Sequence, residues 1–132
     1  MSGGDIVVVH RVRLSQADAH YGGDLVAGGR LMELFGDAAT EICIRHDGDE
    51  GLLAGYSSVE FLAPVYAGDF LEVRGEISRV GNSSRDLELR AFRYAGLRRD
   101  VSDSAADIVD PPELVARAVG TAVVRVDRQR KA

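Results

Sequence analysis

The sequence predicts an α+β domain in which one long helix covers a mostly antiparallel sheet. Apolar residues recur every three or four positions in one long segment, residues 30–45. Before and after this segment, apolar and polar residues alternate, and turn-forming residues separate the alternating runs. A chain of 132 residues fits one hydrophobic core. We therefore assign residues 1–132 to a single domain.

The first strand is predicted at residues 6–14, because one of its faces is mostly apolar. That face carries Val8, His10, Val12 and Leu14. We interpret His10 as a surface or rim residue rather than as a catalytic histidine. Residues 15–29 are too irregular for a strand and too rich in glycine for a helix, so we expect a loop. A loop of this length in a small domain often has a functional role.

The helix is predicted from about Gly28 to Arg45, with its regular apolar pattern in residues 30–45. Its apolar stripe consists of Leu31, Leu34, Phe35, Ala38, Ala39 and Ile42. The opposite face carries Arg30, Glu33, Asp37, Glu41 and Arg45. Turn-forming residues at 46–51 should end the helix.

The remaining strands are predicted at residues 57–65, 70–80, 85–92 and 115–126. Residues 81–84, with the sequence GNSS, favour a hairpin turn. Residues 94–114 contain four Asp and a Pro-Pro pair without a sustained period, so we expect a long surface excursion. One strand, one long helix and four further strands form a hot-dog fold, in which five or six strands wrap around a central helix.

Composition and charge exclude several classes of partner and location. The net charge of −5 repels the phosphates of nucleic acid. A single cysteine forms no internal disulfide, which suits a reducing compartment. No apolar run approaches the roughly 20 residues of a membrane span, and the first residues lack the basic start of a signal peptide. We therefore expect a cytoplasmic protein with no membrane or nucleic-acid partner.

Two sets of segments carry a resemblance to known families. The sequence VEFLAPVYAGDFLEV at 59–73, followed by RVGNSS at 79–84, is similar to hot-dog acyl-CoA proteins. A more specific set resembles the small ammonia-lyases that act on 3-aminobutyryl-CoA and β-alanyl-CoA. Its members are DAHYGGDLV at 18–26, GGRLMELFGDAATE at 28–41, DGDEGL at 47–52, SDSA at 102–105 and DPPEL at 110–114. The resemblance covers roughly residues 8–124.

The resemblance implies a reversible elimination of ammonia from a 3-aminoacyl-CoA, which gives a 2-enoyl-CoA such as crotonyl-CoA. 3-Aminobutyryl-CoA, an intermediate of lysine fermentation, and β-alanyl-CoA are the implied substrates. Coenzyme A enters as part of the substrate thioester, and no other cofactor is expected. The resemblance also implies a homo-oligomer built from hot-dog dimers, such as a tetramer or hexamer. The alternatives are an acyl-CoA thioesterase and a non-catalytic acyl-CoA-binding module.

Three side chains are candidates for the acid–base chemistry. Asp37 and Glu41 are four residues apart, so they stack along one helical face with Glu33. Such a stripe is usually a solvated surface. If a second subunit covered part of it, however, burial would raise the pKa of the covered carboxylate and suit it to proton transfer. We rank Asp37 first and Glu41 second, and take His20 as a further proton-transfer group.

The candidate binding residues lie before the helix and among the arginines. Tyr21, Gly22 and Gly23 follow His20 in the loop, where backbone can approach a ligand closely. Gly28 and Gly29 open the helix, whose free N–H groups suit the oxygen of an enolate-like thioester. We expect one or two arginines to meet the phosphates of coenzyme A, and the candidates are Arg85 and either Arg98 or Arg99.

No metal site is expected from the sequence. Residues 47–50, DGDE, lack the spacing of a calcium-binding loop. No set of His and Cys has the spacing of a zinc site. Cys43 extends the apolar side of the helix, so we interpret it as a buried, inert thiol.

Overall fold

In the computed structural model, which describes residues 6–131, one antiparallel sheet packs against one long helix. The helix α1 spans Gly28–Asp47. The strands of the sheet are β1 (Val7–Arg13), β4 (Leu52–Phe61), β5 (Phe70–Val80), β6 (Ser84–Leu97) and β7 (Ala106–Val123). Their order in the sheet is β1-β5-β6-β7-β4. The predicted α+β architecture, with five strands and one central helix, is confirmed.

Helix α1 contains the predicted apolar stripe, and all six residues of that stripe are buried. It ends two residues later than predicted, at Asp47. Gly48 then adopts a left-handed conformation, with φ of 70°, and its N–H donates to the Ile44 carbonyl at 2.8 Å. Glycine favours this conformation because it carries no Cβ, so the turn ends the helix at low cost.

The core lies between α1 and the inner face of the sheet. Alternate residues of β5 and β6 are almost fully buried there, as the period of two predicts. They include Leu71, Val73, Ile77, Leu87, Leu89 and Ala91. Small residues follow on β7, where Ala116, Ala118 and Ala122 face the helix. These small side chains allow α1 to approach the sheet closely.

The predicted surface excursion at residues 94–114 is wrong. Strand β6 continues to Leu97 and β7 begins at Ala106, so only residues 98–105 form the connection. Many residues of the hairpin that β6 and β7 form around this connection are exposed, including Ile108 of β7 at 76% exposure. The sequence there therefore shows no alternation of apolar and polar residues. The Pro111-Pro112 pair falls in an irregularity of the ladder, between the pairings of residue 95 with 108 and of residue 93 with 113. Proline lacks the N–H that a regular ladder needs.

Two other boundaries also differ from the predictions. The segment predicted as a loop, residues 15–29, contains two short paired strands, β2 (Ala19–Tyr21) and β3 (Leu25–Val26). Strand β4 begins five residues before the predicted start at 57 and ends at Phe61. Register shifts near residues 54 and 57 interrupt the alternation of inward and outward side chains along β4. The sequence pattern therefore did not indicate where this strand begins.

A buried ion pair fastens the C-terminal end of α1 to the hairpin between β5 and β6. Arg85 Nε and Nη2 donate to the two carboxylate oxygens of Asp47 at 2.9 and 2.8 Å. Arg85 Nη1 donates to the carbonyls of Gly81 and Ser84. The side chains of Arg85 and Asp47 are only 2% and 1% exposed. The expectation that Arg85 meets a phosphate of coenzyme A is therefore corrected, because its guanidinium is buried and occupied.

The pKa of Asp47 reflects two opposing effects. Burial raises this pKa, but the hydrogen bonds from Arg85 and His46 outweigh burial and hold it below the ordinary value of 3.8. The carboxylate therefore remains ionised within the pair.

Replacement of Arg85 by methionine should strongly destabilise the fold. Arg85→Met leaves the Asp47 carboxylate buried without its partner, so we expect a loss of about 3–5 kcal/mol in the free energy of unfolding. Urea denaturation at neutral pH measures this loss. Arg90→Met is the matched control, since Arg90 is half-exposed on the outer face of the sheet, and it should change stability by less than about 0.5 kcal/mol. Equal losses of stability in the two variants would contradict this structural role of the buried ion pair.

Acid should reduce the stability of the wild-type protein through the same pair. Because the folded pKa of Asp47 is lowered, its contribution is fully present above the ordinary value of 3.8. That contribution is lost as the pH falls through the lower, folded value. In Arg85→Met, burial without the arginine raises the pKa of Asp47 above its ordinary value. The stability gap between wild type and Arg85→Met should therefore begin to narrow above pH 3.8, and it should narrow further as the pH falls through the folded value of the wild type. A gap that stays constant down to pH 2 would contradict the assignment.

Candidate active site

Two neighbouring cavities share the lining residues Ala63 and Pro64, and the first of them lies at the N-terminal end of α1. We call the first the apolar cleft; its volume is about 410 Å³. Its walls include Tyr21, Val26, Gly28, Leu31, Phe61 and Leu62. We call the second the charged cavity; its volume is about 390 Å³, and it is lined by Gly23, Asp69, Arg93, Arg99 and Glu113, among others.

The apolar cleft combines aliphatic and aromatic walls with the start of a helix. Gly28 is the first residue of α1, and the ring of Phe61 lies against it. A Cβ at position 28 would lie 2.6 Å from Phe61 Cζ, so only glycine fits there without moving the ring. The first N–H groups of a helix have no intrahelical acceptor and carry the positive end of its dipole. The cleft can therefore hold an apolar group whose oxygen points at the helix.

The charged cavity contains paired acidic and basic side chains. Asp69 accepts the Tyr66 N–H at 2.8 Å, within the turn that precedes β5. Burial raises the pKa of Asp69, although the Tyr66 hydrogen bond and the nearby Arg93 oppose the shift. Arg93 Nε donates to Glu113 at 3.1 Å. Arg99 pairs with Asp24, which lies in the loop before α1. The hairpin between β6 and β7 thus contacts this loop through an ion pair.

The loop before α1 places the predicted binding residues near both cavities. Tyr21 lines the apolar cleft and Gly23 lines the charged cavity. The ring of His20 meets the Tyr21 ring edge-on at a centroid distance of 4.7 Å, and both rings are exposed. Gly22, between Tyr21 and Gly23, and Gly29, in the first turn of α1, are also exposed. The structure thus brings much of the predicted binding set to one end of the molecule.

Within one chain, the carboxylate stripe of α1 does not line either cavity. Asp37 is exposed and lies nine residues after Gly28, which is about 14 Å along the helix axis. Glu41 lies one turn further and bridges His10 Nε2 and Arg45 Nε, each at 2.6 Å. The hydrogen bonds from His10 and then Arg45 lower the pKa of Glu41. Glu41 is therefore held as an anion that ties α1 to β1, and His10 is the half-buried rim residue predicted.

The two remaining predicted arginines, Arg98 and Arg99, differ in their ion-pair partners and in their access to the charged cavity. Arg98 donates to both oxygens of Asp100 and to Asp107, each at 2.9 Å, so its guanidinium is held within the hairpin tip. Arg99 is half-exposed and faces the charged cavity. Arg99 is thus better placed than Arg98 to reach a ligand in that cavity.

Among the lining residues that sequence reasoning missed are Phe61, Asp69 and Arg93. Phe61 and Asp69 lie within the segment that carries the resemblance, but their pattern indicated only a strand residue and a turn residue. Arg93 belongs to a group of arginines that the sequence could not distinguish from one another. Its proximity to Asp69, at 3.9 Å, arises only from the pairing of β5 with β6.

Two further features concern the described part of the chain as a whole. Among residues 6–131, no three side chains of the types His, Cys, Asp and Glu come together as a possible metal site. No helix within this range combines the length and the apolar character that a membrane span requires.

The sequence matches proteins of known family over nearly its full length. The family model of the thioesterase superfamily matches residues 23–98. The 3-aminobutyryl-CoA ammonia lyase of Acetoanaerobium sticklandii is 52% identical over 123 residues, which are 93% of this chain and 98% of that protein. The chain belongs to the CoA-thioester ammonia-lyase family of the thioesterase superfamily.

Solved structures agree with this membership. The β-alanyl-CoA:ammonia lyase from Clostridium propionicum has a TM-score of 0.93 and 40% identity, and the match covers 99% of this chain and 92% of that one. A hexameric hotdog fold thioesterase of Campylobacter jejuni has a TM-score of 0.72 at 18% identity, with 91% and 84% coverage, and shares the fold. The predicted hot-dog fold and the predicted resemblance are both confirmed.

Proposed function

We propose that this protein is a 3-aminoacyl-CoA ammonia-lyase, which reversibly eliminates ammonia from 3-aminobutyryl-CoA or β-alanyl-CoA. The product is a 2-enoyl-CoA, crotonyl-CoA in the first case. The observation that carries this proposal is the 52% identity to a 3-aminobutyryl-CoA ammonia lyase over almost the whole of both chains. The apolar cleft at the start of α1 is consistent with it, because this reaction needs a site for a short acyl group and its carbonyl.

The reaction requires that a proton leaves the carbon next to the thioester carbonyl while the bond between carbon and nitrogen breaks. The thioester acidifies this proton, and negative charge develops on the carbonyl oxygen. The N–H groups of Gly28 and Gly29 at the start of α1 would stabilise that oxygen. Tyr21, Gly22 and Gly23 would line the path of the substrate. A base takes the proton, and a second group handles the proton of the departing amine.

We assign the base to Asp37 and the second group to His20. Asp37 has no carboxylate–arginine contact within 4 Å in the described residues, whereas Glu41 is bound by His10 and Arg45. This difference favours Asp37 over Glu41. His20 stands beside Tyr21 at the mouth of the cleft. Because Asp37 lies outside the cleft of its own chain, the proposal requires that a second subunit supplies it.

Coenzyme A is the substrate carrier in this proposal, and the chemistry uses no other cofactor. Arg99 is our first candidate for a phosphate contact, and Arg98 is the second. Each would exchange a carboxylate partner for a phosphate, which a guanidinium can bind through two nitrogens at once. Ammonia is the other product. We place the reaction in the cytoplasm, where a single buried thiol, Cys43, stays reduced.

An acyl-CoA thioesterase is the second candidate, because the thioesterase superfamily model matches residues 23–98. In that case Asp37 would activate water in the same cleft, and the products would be free coenzyme A and a carboxylic acid. A non-catalytic acyl-CoA-binding module would release neither product.

The first test separates these candidates in one reaction mixture. Crotonyl-CoA and ammonium are incubated with the protein, and mass spectrometry and a thiol assay follow the products. We expect 3-aminobutyryl-CoA to form with coenzyme A still attached, because the lyase reaction is reversible. Free thiol without an amine adduct would instead support the thioesterase. If neither product forms while crotonyl-CoA binds, the protein is a binding module.

The second test concerns the base. Asp37→Asn should keep the fold and the binding of crotonyl-CoA, but lower turnover by at least about a hundredfold, the usual scale for a lost general base. Asparagine is nearly the same size as aspartate, so such a loss reports chemistry rather than packing. Glu41→Gln is the matched control one turn further along the helix. It should lower stability through the lost His10 contact and keep turnover within a few-fold.

Other patterns of turnover among the variants would assign the base to a different residue. A loss of turnover in Glu41→Gln alone would make Glu41 the base. If only His20→Ala lost activity, the carboxylate stripe would be a solvated surface. Near wild-type turnover in all three variants would contradict the proposed site.

The third test concerns assembly. We propose that the protein is at least a homodimer, and that tetramers or hexamers of such dimers are the larger options. Within residues 6–131 no strand pairs with the outer edge of β4, and Leu52 on that strand is 72% exposed. Such an edge favours pairing with another chain. Multi-angle light scattering at micromolar concentration should give at least twice the mass of one chain. A monomer with full lyase activity would contradict both the assembly and the shared site.

A further inference from the structure

An aromatic ring lines the apolar cleft beside the start of α1. Phe61, the last residue of β4, points the tip of its ring at the first residue of α1. A Cβ built at Gly28 would lie 2.6 Å from Phe61 Cζ, 2.9 Å from Cε1 and 3.0 Å from Cε2. The ring therefore occupies the space directly beside the first helical turn. Any group that binds at this turn must lie next to the ring.

The fold does not need this ring for its core. Phe61 is opposite Ala116 in the ladder between β4 and β7. Ala116 is fully buried and faces the helix, so Phe61 is directed to the same side of the sheet. Yet Phe61 remains 52% exposed and lies outside the main core cluster. A large aromatic side chain that is half-exposed inside a cavity is available for contact with a ligand.

The neighbouring walls indicate what kind of ligand group lies beside the ring. Val26 and Leu31 are buried and aliphatic, and Leu62 follows Phe61 along the chain. None of the three offers a hydrogen bond from its side chain. If the thioester oxygen accepts the first N–H groups of α1, the acyl carbons beyond it extend along these apolar walls. Their reach is then limited by the ring.

We propose that Phe61 sets the acyl-chain length of the substrate, by closing the apolar cleft to groups longer than four carbons. This inference rests on the proposed function and adds a specificity-determining residue to it. The ring leaves room for the acyl part of a β-alanyl or 3-aminobutyryl thioester and blocks further methylene groups. Removal of the ring would enlarge the cleft at the end of β4. Longer acyl chains then gain apolar contact with Val26 and Leu31.

The test compares four-carbon and six-carbon thioesters in wild type and Phe61→Ala. The ratio of kcat/KM for ammonia addition to 2-hexenoyl-CoA and to crotonyl-CoA should rise at least about tenfold in the variant, which is the discrimination that one or two methylene groups provide. Phe61→Leu should give a smaller rise. Phe92→Ala is the matched control, because Phe92 lies on the outer face of the sheet against Arg74, and it should leave the ratio unchanged.

A binding measurement keeps this inference separate from the proposed reaction. Calorimetry with butyryl-CoA and hexanoyl-CoA, which cannot add ammonia, should show the same shift in preference for Phe61→Ala. If wild type adds no ammonia but the binding preference still shifts, the chain-length role stands and the lyase function fails. If wild type adds ammonia and neither ratio changes in Phe61→Ala, the lyase function stands and the role of Phe61 is overturned. An equal shift in Phe92→Ala would also overturn it.

Discussion

The buried pair of Asp47 and Arg85 fixes where the long helix lies on the sheet. Asp47 is the last residue of α1, and Arg85 is the second residue of β6, the return strand of the hairpin between β5 and β6. The chain's last residues add to this junction, since the Arg130 N–H donates to the Asp47 carbonyl at 2.8 Å. A helix of 20 residues is a rigid rod about 30 Å long. Once this end is fastened and the apolar stripe is buried, the position of the other end is determined.

The candidate active site depends on that position. The start of α1 meets Phe61 at the end of β4, and the loop before the helix supplies Tyr21 and Gly23. These residues come from three parts of the chain that share no local pattern. The absence of a side chain at Gly28 allows the ring and the helix to touch. The core of the protein does not itself require this close contact, because Phe61 lies outside the main core cluster.

The three stacked carboxylates show how tertiary structure distinguishes residues that look equivalent in sequence. Glu33, Asp37 and Glu41 follow one another at four-residue spacing, but four residues exceed one helical turn, so each is rotated by about 40° from the last. This rotation carries Glu41 toward β1, where His10 binds it. Asp37 stays on the outer face, exposed to solvent. The spacing predicted a shared face, and only the position of β1 determined that His10 binds Glu41.

The sequence alone determined the helix, strand β5, the fold class and the family, because each leaves a periodic or contiguous trace in the chain. A periodic pattern of apolar residues arises where one face of a strand or helix is buried. The sequence therefore lacks such a pattern where the β6–β7 hairpin is exposed and where the pairing of β4 is irregular. It also could not rank the arginines. Arg85 is buried by a partner 38 residues away, whereas Arg99 faces a cavity and pairs with a residue 75 positions away. Such pairings exist only after strands and helix have packed, and tertiary structure alone decides them.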